Sequence, residues 1–453
     1  MKKFRPIYIT ALSTALLLTA CNKQLDLKPF QQIEQDQAIL TSTDVQITLV
    51  GAYNRLGLSD VYGGGAFFEP DLMATQSIID WQGTYQDLTQ MVSQTIPNDN
   101  GFVANMWLSS YQAVNQANNV IANLDKAEAA QKDRMEGEAK FIRGIVYFNL
   151  VEMYGKSYND GSPATNPGVP IVLTPTKVVD ETSKVSRASV EQTYQQVIAD
   201  LTDAEAKLPA SNSFYANKYS AAGMLARVYL QKGDYTNAAA AANRVISANK
   251  FSLVNPYTDE FPYPAQVHVD NTTEDLFAVQ VTPQQGTNSM NTYYASADDS
   301  GRGDIIVRDN FLAEFEPDDE RAEVYTLDSD DVLRVGKFSN VYGNVRVIRL
   351  AEMYLIRAEA NFRLGTALGA TPTSDINKIR ERAGLNDVAT VTLASILKER
   401  RLELAFEGGF FLHDAKRLKQ NVGALPYNSP KLVFPIPLRE INANANLTQN
   451  EGY

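Results

Sequence analysis

Apolar side chains recur every three to four residues in a series of separated blocks, the spacing that lines one face of an α-helix. The first block is 43–58, with Val45, Leu49, Ala52, Tyr53 and Leu56. Two longer ones, 105–124 (Trp107, Tyr111, Val114, Ala117, Ile121) and 135–154 (Phe141, Ile145, Phe148, Met153), predict an antiparallel helical hairpin that stops at Gly155. A helix over 189–208 closes at Pro209, and 218–246 reads as two helices joined at Lys232-Gly233-Asp234. In that pair Ala226 and Tyr229 precede the turn and Ala238 and Val245 follow it, the spacing of a tetratricopeptide repeat. Such a repeat cannot bury its apolar face alone, so neighbouring helices must stack on it. Further helices are predicted from 345 (Ile348, Met353, Ile356, Ala360) and over 375–383. In 396–407 Leu402 and Phe406 lie four apart, while Arg400, Glu403 and Glu407 fall along one stripe. That helix is predicted to be buried with its charges paired, and to end at Gly408-Gly409.

Between these blocks the pattern breaks down. Residues 60–101, 156–187 and 251–309 are rich in Gly, Pro, Asn and Asp, which is loop chemistry. They leave room for one short helix in the first region and short strands at 171–173 and 274–281, the latter apolar on alternate residues. Loop regions 60–101 and 251–309 are also studded with aromatics. Tyr62, Phe67, Phe68, Trp81 and Tyr85 sit in one, and Tyr257, Tyr263, Tyr293 and Tyr294 in the other. Such rings either pack as small satellite cores beneath the loops or form a ligand platform, where flat faces stack on sugars or peptides and amides read hydroxyls. Phe67 and Phe68 are assigned to core, as is Trp107 on its helix. Trp81, with polar or small neighbours Asp80, Gln82 and Gly83, is the leading ligand anchor, and Tyr85, Tyr62, Tyr263, Tyr293 and Tyr294 are the other candidates.

The N-terminus changes the picture. Basic residues Met1-Lys2-Lys3-Phe4-Arg5 precede an apolar run over 7–20, short of the ~20 residues that cross a bilayer, so the segment reads as an export signal. It ends in Leu18-Thr19-Ala20-Cys21, the cleavage pattern of a bacterial lipoprotein, with the chain's single cysteine placed to receive lipid. Acyl chains there would tether the mature protein to a membrane leaflet. With one thiol, already modified, no disulfide forms and the fold must be held by its core. The polar stretch 22–40 reads as a tether. A net charge of −12 on 453 residues excludes nucleic acid as an expected partner.

Catalytic chemistry is poorly supplied. There are two histidines, His268 and His413, no zinc-ligand spacing and no Gly-x-Ser-x-Gly elbow. Asp298-Asp299 lacks the spacing of a calcium loop, and the triplet Arg302-Gly303-Asp304 is too short to carry meaning. Glu403 and Glu407 could form a glycosidase pair. With Arg400 beside them they are instead assigned to an ion network bracing helices, so no catalytic residue, metal or cofactor is expected. A helical-repeat scaffold binding a protein or peptide partner remains the alternative to ligand capture.

The block ILKERRLELAFEGGFFLHDAKR at 396–417 resembles the C-terminal signature of the SusD/RagB family of nutrient-uptake lipoproteins. The usual Gly-His-Arg is here Gly408-Gly409-Phe410, and the usual Trp after the final Arg is Leu418. Other elements fall in family order: the Trp107 helix, Tyr154-Gly155 followed by VPIVL, and Asp319-Glu320-Arg321. Arg349-Leu350-Ala351-Glu352, Ala358-Glu359-Ala360, Pro435-Ile436-Pro437 and Gln449-Asn450 complete the series. The resemblance implies a mostly α fold in which tetratricopeptide-like helical pairs, about four, form one scaffold opposite long irregular loops and a few short strands. It implies a signal peptide over 1–20, a lipidated tether over 21–42 and a single SusD-like domain over 43–453, its two parts meeting near 250. It further implies an anchor at Cys21 in the outer membrane with the protein facing the exterior. A SusC-like TonB-dependent transporter would be its partner, and its ligand a glycan or other nutrient.

Overall fold

Helices start where a side chain can satisfy the free N–H groups of the first turn. Thr41 and Asp44 form such a reciprocal cap on α1 (Ser42–Leu56). Next come α2 (Gly65–Ala74), α3 (Gln86–Val92) and the long pair α4 (Gly101–Ala122) and α5 (Ala129–Tyr154). Ser189 with Gln192 caps α6 (Val190–Lys207), and Asn217 with Ser220 caps α7 (Lys218–Lys232). Gly233 ends α7 in the left-handed conformation, φ 78°, and the next residue, Asp234, caps α8 (Tyr235–Ser247), so the Lys-Gly-Asp turn reverses the chain within three residues. The computed structural model describes residues 39–261, 266–284 and 286–453. Cys21, the predicted signal, most of the predicted tether and Tyr263 lie outside them. Thr41–Tyr453 packs as one unit.

The helices stack in the order α1, α4, α5, α6, α7, α8, and α8 then packs on α11 (Leu350–Leu364), which follows the short helices α9 (Ser289–Tyr294) and α10 (Asp309–Leu312) in the chain. α11 in turn contacts α12 (Pro372–Arg382) and α13 (Leu393–Glu403), where Ala351, Leu355, Ala358, Ile376, Ile379 and Ile396 share one apolar cluster. Buried bidentate pairs pin the layers. Arg143 of α5 grips Asp200 of α6 at 2.7–2.8 Å, and Arg357 of α11 grips Asp375 of α12 at 2.6–2.9 Å. The chain is thus mostly α, with its helical pairs forming one continuous scaffold.

Three small antiparallel pairs make up the sheet content of the described residues: β1 (Ile79–Trp81) with β3 (Ile305–Val307), β2 (Asp275–Val279) with β6 (Val345–Arg349), and β4 (Tyr325–Leu327) with β5 (Leu333–Val335). The predicted strand at 274–281 is β2, buried along its whole length. Residues 345–349, predicted as the start of a helix, instead form its partner β6, because the β-branched run VRVI suits a pleated ladder and α11 begins only at Leu350. No strand forms at 171–173. The Tyr147 hydroxyl accepts from the backbone N–H of Val172 and donates to its carbonyl, and Asn118 donates to the same carbonyl, so side chains replace a ladder. Region 60–101 holds two helices and a strand, more than the single short helix expected. Its α2 is buried from Gly65 to Met73, and Phe67 and Phe68 sit in the core as read from sequence.

The predicted helix at 396–407 stops earlier, at Glu403. The chain then turns, with Phe406 in the left-handed conformation at φ 67° and its ring buried against Phe311, Tyr294 and Phe411. Glu407 therefore lies beyond the helix that carries Arg400 and Glu403, and neither glutamate is Arg400's partner. Arg400 pairs with Asp414 at 2.8 Å, and both glutamates converge on Arg349. This turn ends at Gly409, which opens α14 (Phe410–Arg417).

Candidate functional site

The β1–β3 ladder joins the two aromatic loop regions. Trp81 lies opposite Ile305, and the Gln82 N–H extends the ladder to the Asp304 carbonyl at 2.7 Å. At the other end Asp80 and Arg308 pair across the strands at 2.6 Å in solvent. Beyond β1 the chain turns through Gly83 and Thr84 into α3, with Tyr85 at its cap, while Arg302 and Asp304 lead into β3. Residues more than two hundred positions apart thus meet on one surface.

On that surface the Arg302 guanidinium lies over the Tyr85 ring, 4.7 Å from its centroid. Arg302 donates through Nε to Asp304 at 2.8 Å and through Nη2 to Thr84 Oγ1 at 3.1 Å, so the stack is fixed and its charge is paired. Tyr85 remains 44 % exposed and meets Phe102 and Tyr293 edge-on at 5.8 and 6.4 Å. Tyr293, on the short helix α9 (Ser289–Tyr294), packs against Phe68 at 4.4 Å. Burial pushes its hydroxyl pKa up, so the phenol stays neutral. Trp81 is half-buried. Its Nε1–H donates to Thr89 Oγ1 at 2.9 Å, and its six-membered ring lies on Gly83, where a Cβ would fall 2.1 Å from Cζ2. Only a glycine leaves room for the indole in this position.

The structure therefore brings Trp81 and Tyr85 to one surface, with Tyr293 buried beneath Tyr85 as its support and not as an open face, and separates the other predicted rings from them. Tyr62 is a core residue whose hydroxyl donates to the Ile145 carbonyl at 2.8 Å. Tyr294 is equally enclosed, between Phe338 and Phe406. Neither offers a face to a ligand. Arg302, dismissed in sequence as part of a meaningless triplet, and Gly83 were missed. The detectable signal was a glycine two residues after a loop tryptophan, whereas no local pattern announces that Arg302 reaches Tyr85.

The C-terminal glutamates occupy a different environment. Arg349 Nη1 contacts Glu274 and Glu403, each at 2.6 Å, and its Nε contacts Glu407 at 2.7 Å. Arg382 bridges Glu274 and Glu403, and Lys337 reaches Glu407 at 2.6 Å. Burial alone would raise the Glu403 carboxyl, but the Arg382, Arg349 and Arg321 charges overcome it and hold the group far below the usual carboxylate range. Glu407 is lowered in the same way, against burial, by Arg349 and Lys337. A pair locked as carboxylates has no proton to give, so it does not fit a glycosidase acid. Among the described residues no cluster of His, Cys, Asp and Glu is placed to hold a metal, and no helix is long and apolar enough to cross a membrane.

This signature region and the N-terminal helices match two models of one family: a SusD-like model described as starch-binding and associating with the outer membrane, over residues 23–230, and the SusD family model, over 335–423. The chain belongs to the SusD/RagB family. Among its relatives, this SusD-family chain is 24 % identical to SusD-like protein P2 of Formosa agariphila over the full length of both. It is 37 % identical to the starch-binding protein SusD of Bacteroides thetaiotaomicron over 123 residues, 24 % of this chain and 22 % of that one. A solved SusD superfamily structure from Bacteroides thetaiotaomicron, 27 % identical, superposes with a TM-score of 0.80 over 90 % of this chain and 99 % of its own. The helical stack and the buried Arg349 network are thus features of a SusD-family member.

Proposed function

We propose that this protein captures a glycan on a platform of Trp81 and Tyr85, with buried Tyr293 supporting Tyr85 from beneath. The observation that carries the reading is the β1–β3 pairing, which draws both aromatic loop regions into one exposed, internally braced surface. Sugar rings present weakly polar C–H faces ringed by hydroxyls. Rigid aromatic rings match the faces at little entropic cost, while Arg302, Thr84 and the amide of Gln82 stand close enough to read the hydroxyls. The starch-binding description of one relative supports this class of ligand. We further propose that Cys21 anchors the chain to the outer membrane on its exterior side, and that the captured glycan passes to a SusC-like TonB-dependent transporter. The family model's association with the outer membrane supports the location.

The test is titration calorimetry of the purified chain with starch-, laminarin-, cellulose-, xylan- and mannan-derived oligosaccharides. Binding of one series, weakened by ~1–3 kcal/mol in Trp81→Ala and in Tyr85→Ala with little change in melting temperature, is the expected result. Equal binding by wild type and both variants would overturn the platform. Absence of binding to any series would overturn the glycan reading.

A further inference from the structure

A second opening lies at the other end of α9. It is a cavity of about 580 Å³ between the C-terminal half of α1, the loop joining α6 to α7, and β2. That is within the range of small-molecule sites. Its lining includes Tyr53, Phe214, Tyr215, Asn54, Gln280 and Ser289, and among the described residues no charged side chain contributes to it. Three rings form an arc there. Phe214 and Tyr215 lie 4.5 Å apart at 45°, and Tyr215 and Tyr53 lie 4.7 Å apart at 47°.

The loop that carries Phe214 is built to hold it outward. Ser213 takes the left-handed conformation, φ 53°, which is uncommon for a residue with a Cβ. On either side the loop is tied down. The Tyr215 N–H donates to the Asn212 carbonyl at 3.0 Å, the Asn212 amide donates to the Ala216 carbonyl at 2.9 Å, and the Ala216 N–H donates to the Tyr53 hydroxyl at 3.1 Å. Yet the ring so fixed is 46 % exposed. A large aromatic kept in water by a rigid, unfavourable backbone is a preformed contact surface. Phe214 and Gln280 also border a second, more open hollow, so the cavity continues past the ring.

We infer that this cavity is a second saccharide subsite, one that takes a further part of the glycan held at the Trp81–Tyr85 platform. Aromatic faces, amides and hydroxyls suit a neutral polyhydroxylated ligand, and the carboxylate of Asp270 borders only the outer hollow. Continuity comes from α9, where Ser289 lines the cavity and Tyr293, four residues on and on the same helical face, packs beneath Tyr85 of the platform. The inference rests on the glycan-binding reading above.

Trimers and heptamers of the malto-, laminari-, cello-, xylo- and manno-oligosaccharides separate the two. For the series that wild type binds, heptamer should bind more tightly than trimer. Phe214→Ala, and independently Asn54→Ala on the exposed face of α1, should lower heptamer affinity on the order of tenfold while leaving trimer affinity and melting temperature unchanged. Heptamer affinity kept in both variants, but lost in Tyr85→Ala, would overturn the subsite and leave the platform standing. No binding of any series by wild type would overturn both.

Discussion

Arg349 Nη1 and Glu403 Oε1 meet at 2.6 Å with both side chains sealed from solvent, and around that contact the strand β6, the end of α13 and the turn at Glu407 are fastened together. Arg349 lies at the junction of β6 and α11, so one guanidinium couples the buried β2–β6 ladder to the C-terminal helices. A buried pair of this kind stabilises little relative to a well-packed apolar core. Losing one member is nevertheless costly, because the remaining charges stay buried without balance.

Glu403→Gln should therefore lower stability by about 3 kcal/mol or more, since Arg349, Arg382 and Arg321 would face one carboxylate fewer. The sign with pH follows from the lowered carboxyl. Its contribution is present above the unfolded value of ~4.3 and is lost as pH falls through the lower folded value, so the variant should lose less stability than wild type on acidification. Urea unfolding at pH 7 and pH 3 measures both effects. An unchanged midpoint at pH 7 would show that the network does not bear on stability.

Glu69 makes the opposite case. It is fully buried on α2, neither carboxylate oxygen has a hydrogen-bond partner among the described residues, and burial, reinforced by Asp60, drives its pKa well above the ordinary value. A raised carboxyl leaves stability intact below the unfolded value of ~4.3 and erodes it as pH rises toward the folded value. Glu69→Gln, which removes the ionisable proton at nearly constant shape, should raise the melting temperature at pH 8 more than at pH 4.5. Parallel melting curves for the two proteins across that range would refute a neutral Glu69.

Much of this architecture could be read from the chain, and the exceptions have a common cause. Helices α4 and α8 were legible from a one-sided 3.6-residue stripe and α7 from the explicit turn chemistry at Gly233-Asp234, while α5, buried on every face over Phe141–Val151, was legible from its length and the stop at Gly155. The strand at 345–349 was not, because a short apolar run in front of a helix has the same composition in either conformation. The early end of α13 was hidden because Phe406 adopts a left-handed backbone that only its packing among four rings can stabilise. At the candidate site, aromatic type could be recognised but not exposure. Tyr62 and Tyr294 look like Tyr85 in sequence and differ only in what folds over them.

Cys21→Ser should release the chain from membranes or leave an unprocessed precursor, because the chain holds no other thiol to receive lipid. Fractionation of cells producing each form is the measurement. Recovery of the variant in the membrane fraction at wild-type level, with normal processing, would contradict a lipid anchor at this position.

Gly83→Ala probes the platform without removing any group that could touch a ligand. The added methyl would stand 2.1 Å from Trp81 Cζ2, far inside contact distance, so the indole must swing away and break its hydrogen bond to Thr89. Tyr85 and Arg302 are braced by other partners, Asp304 and Thr84, and should stay in place. The expected outcome is a shift in tryptophan fluorescence together with weaker glycan binding, by ~1–3 kcal/mol if the indole is a stacking face. The helical circular-dichroism signal should not change, since β1 lies outside the helical stack. If fluorescence shifts but affinity holds, Trp81 is packing for the platform and Tyr85 alone is its contact ring. If neither moves, the loop absorbs the methyl and Gly83 does not set the position of the indole.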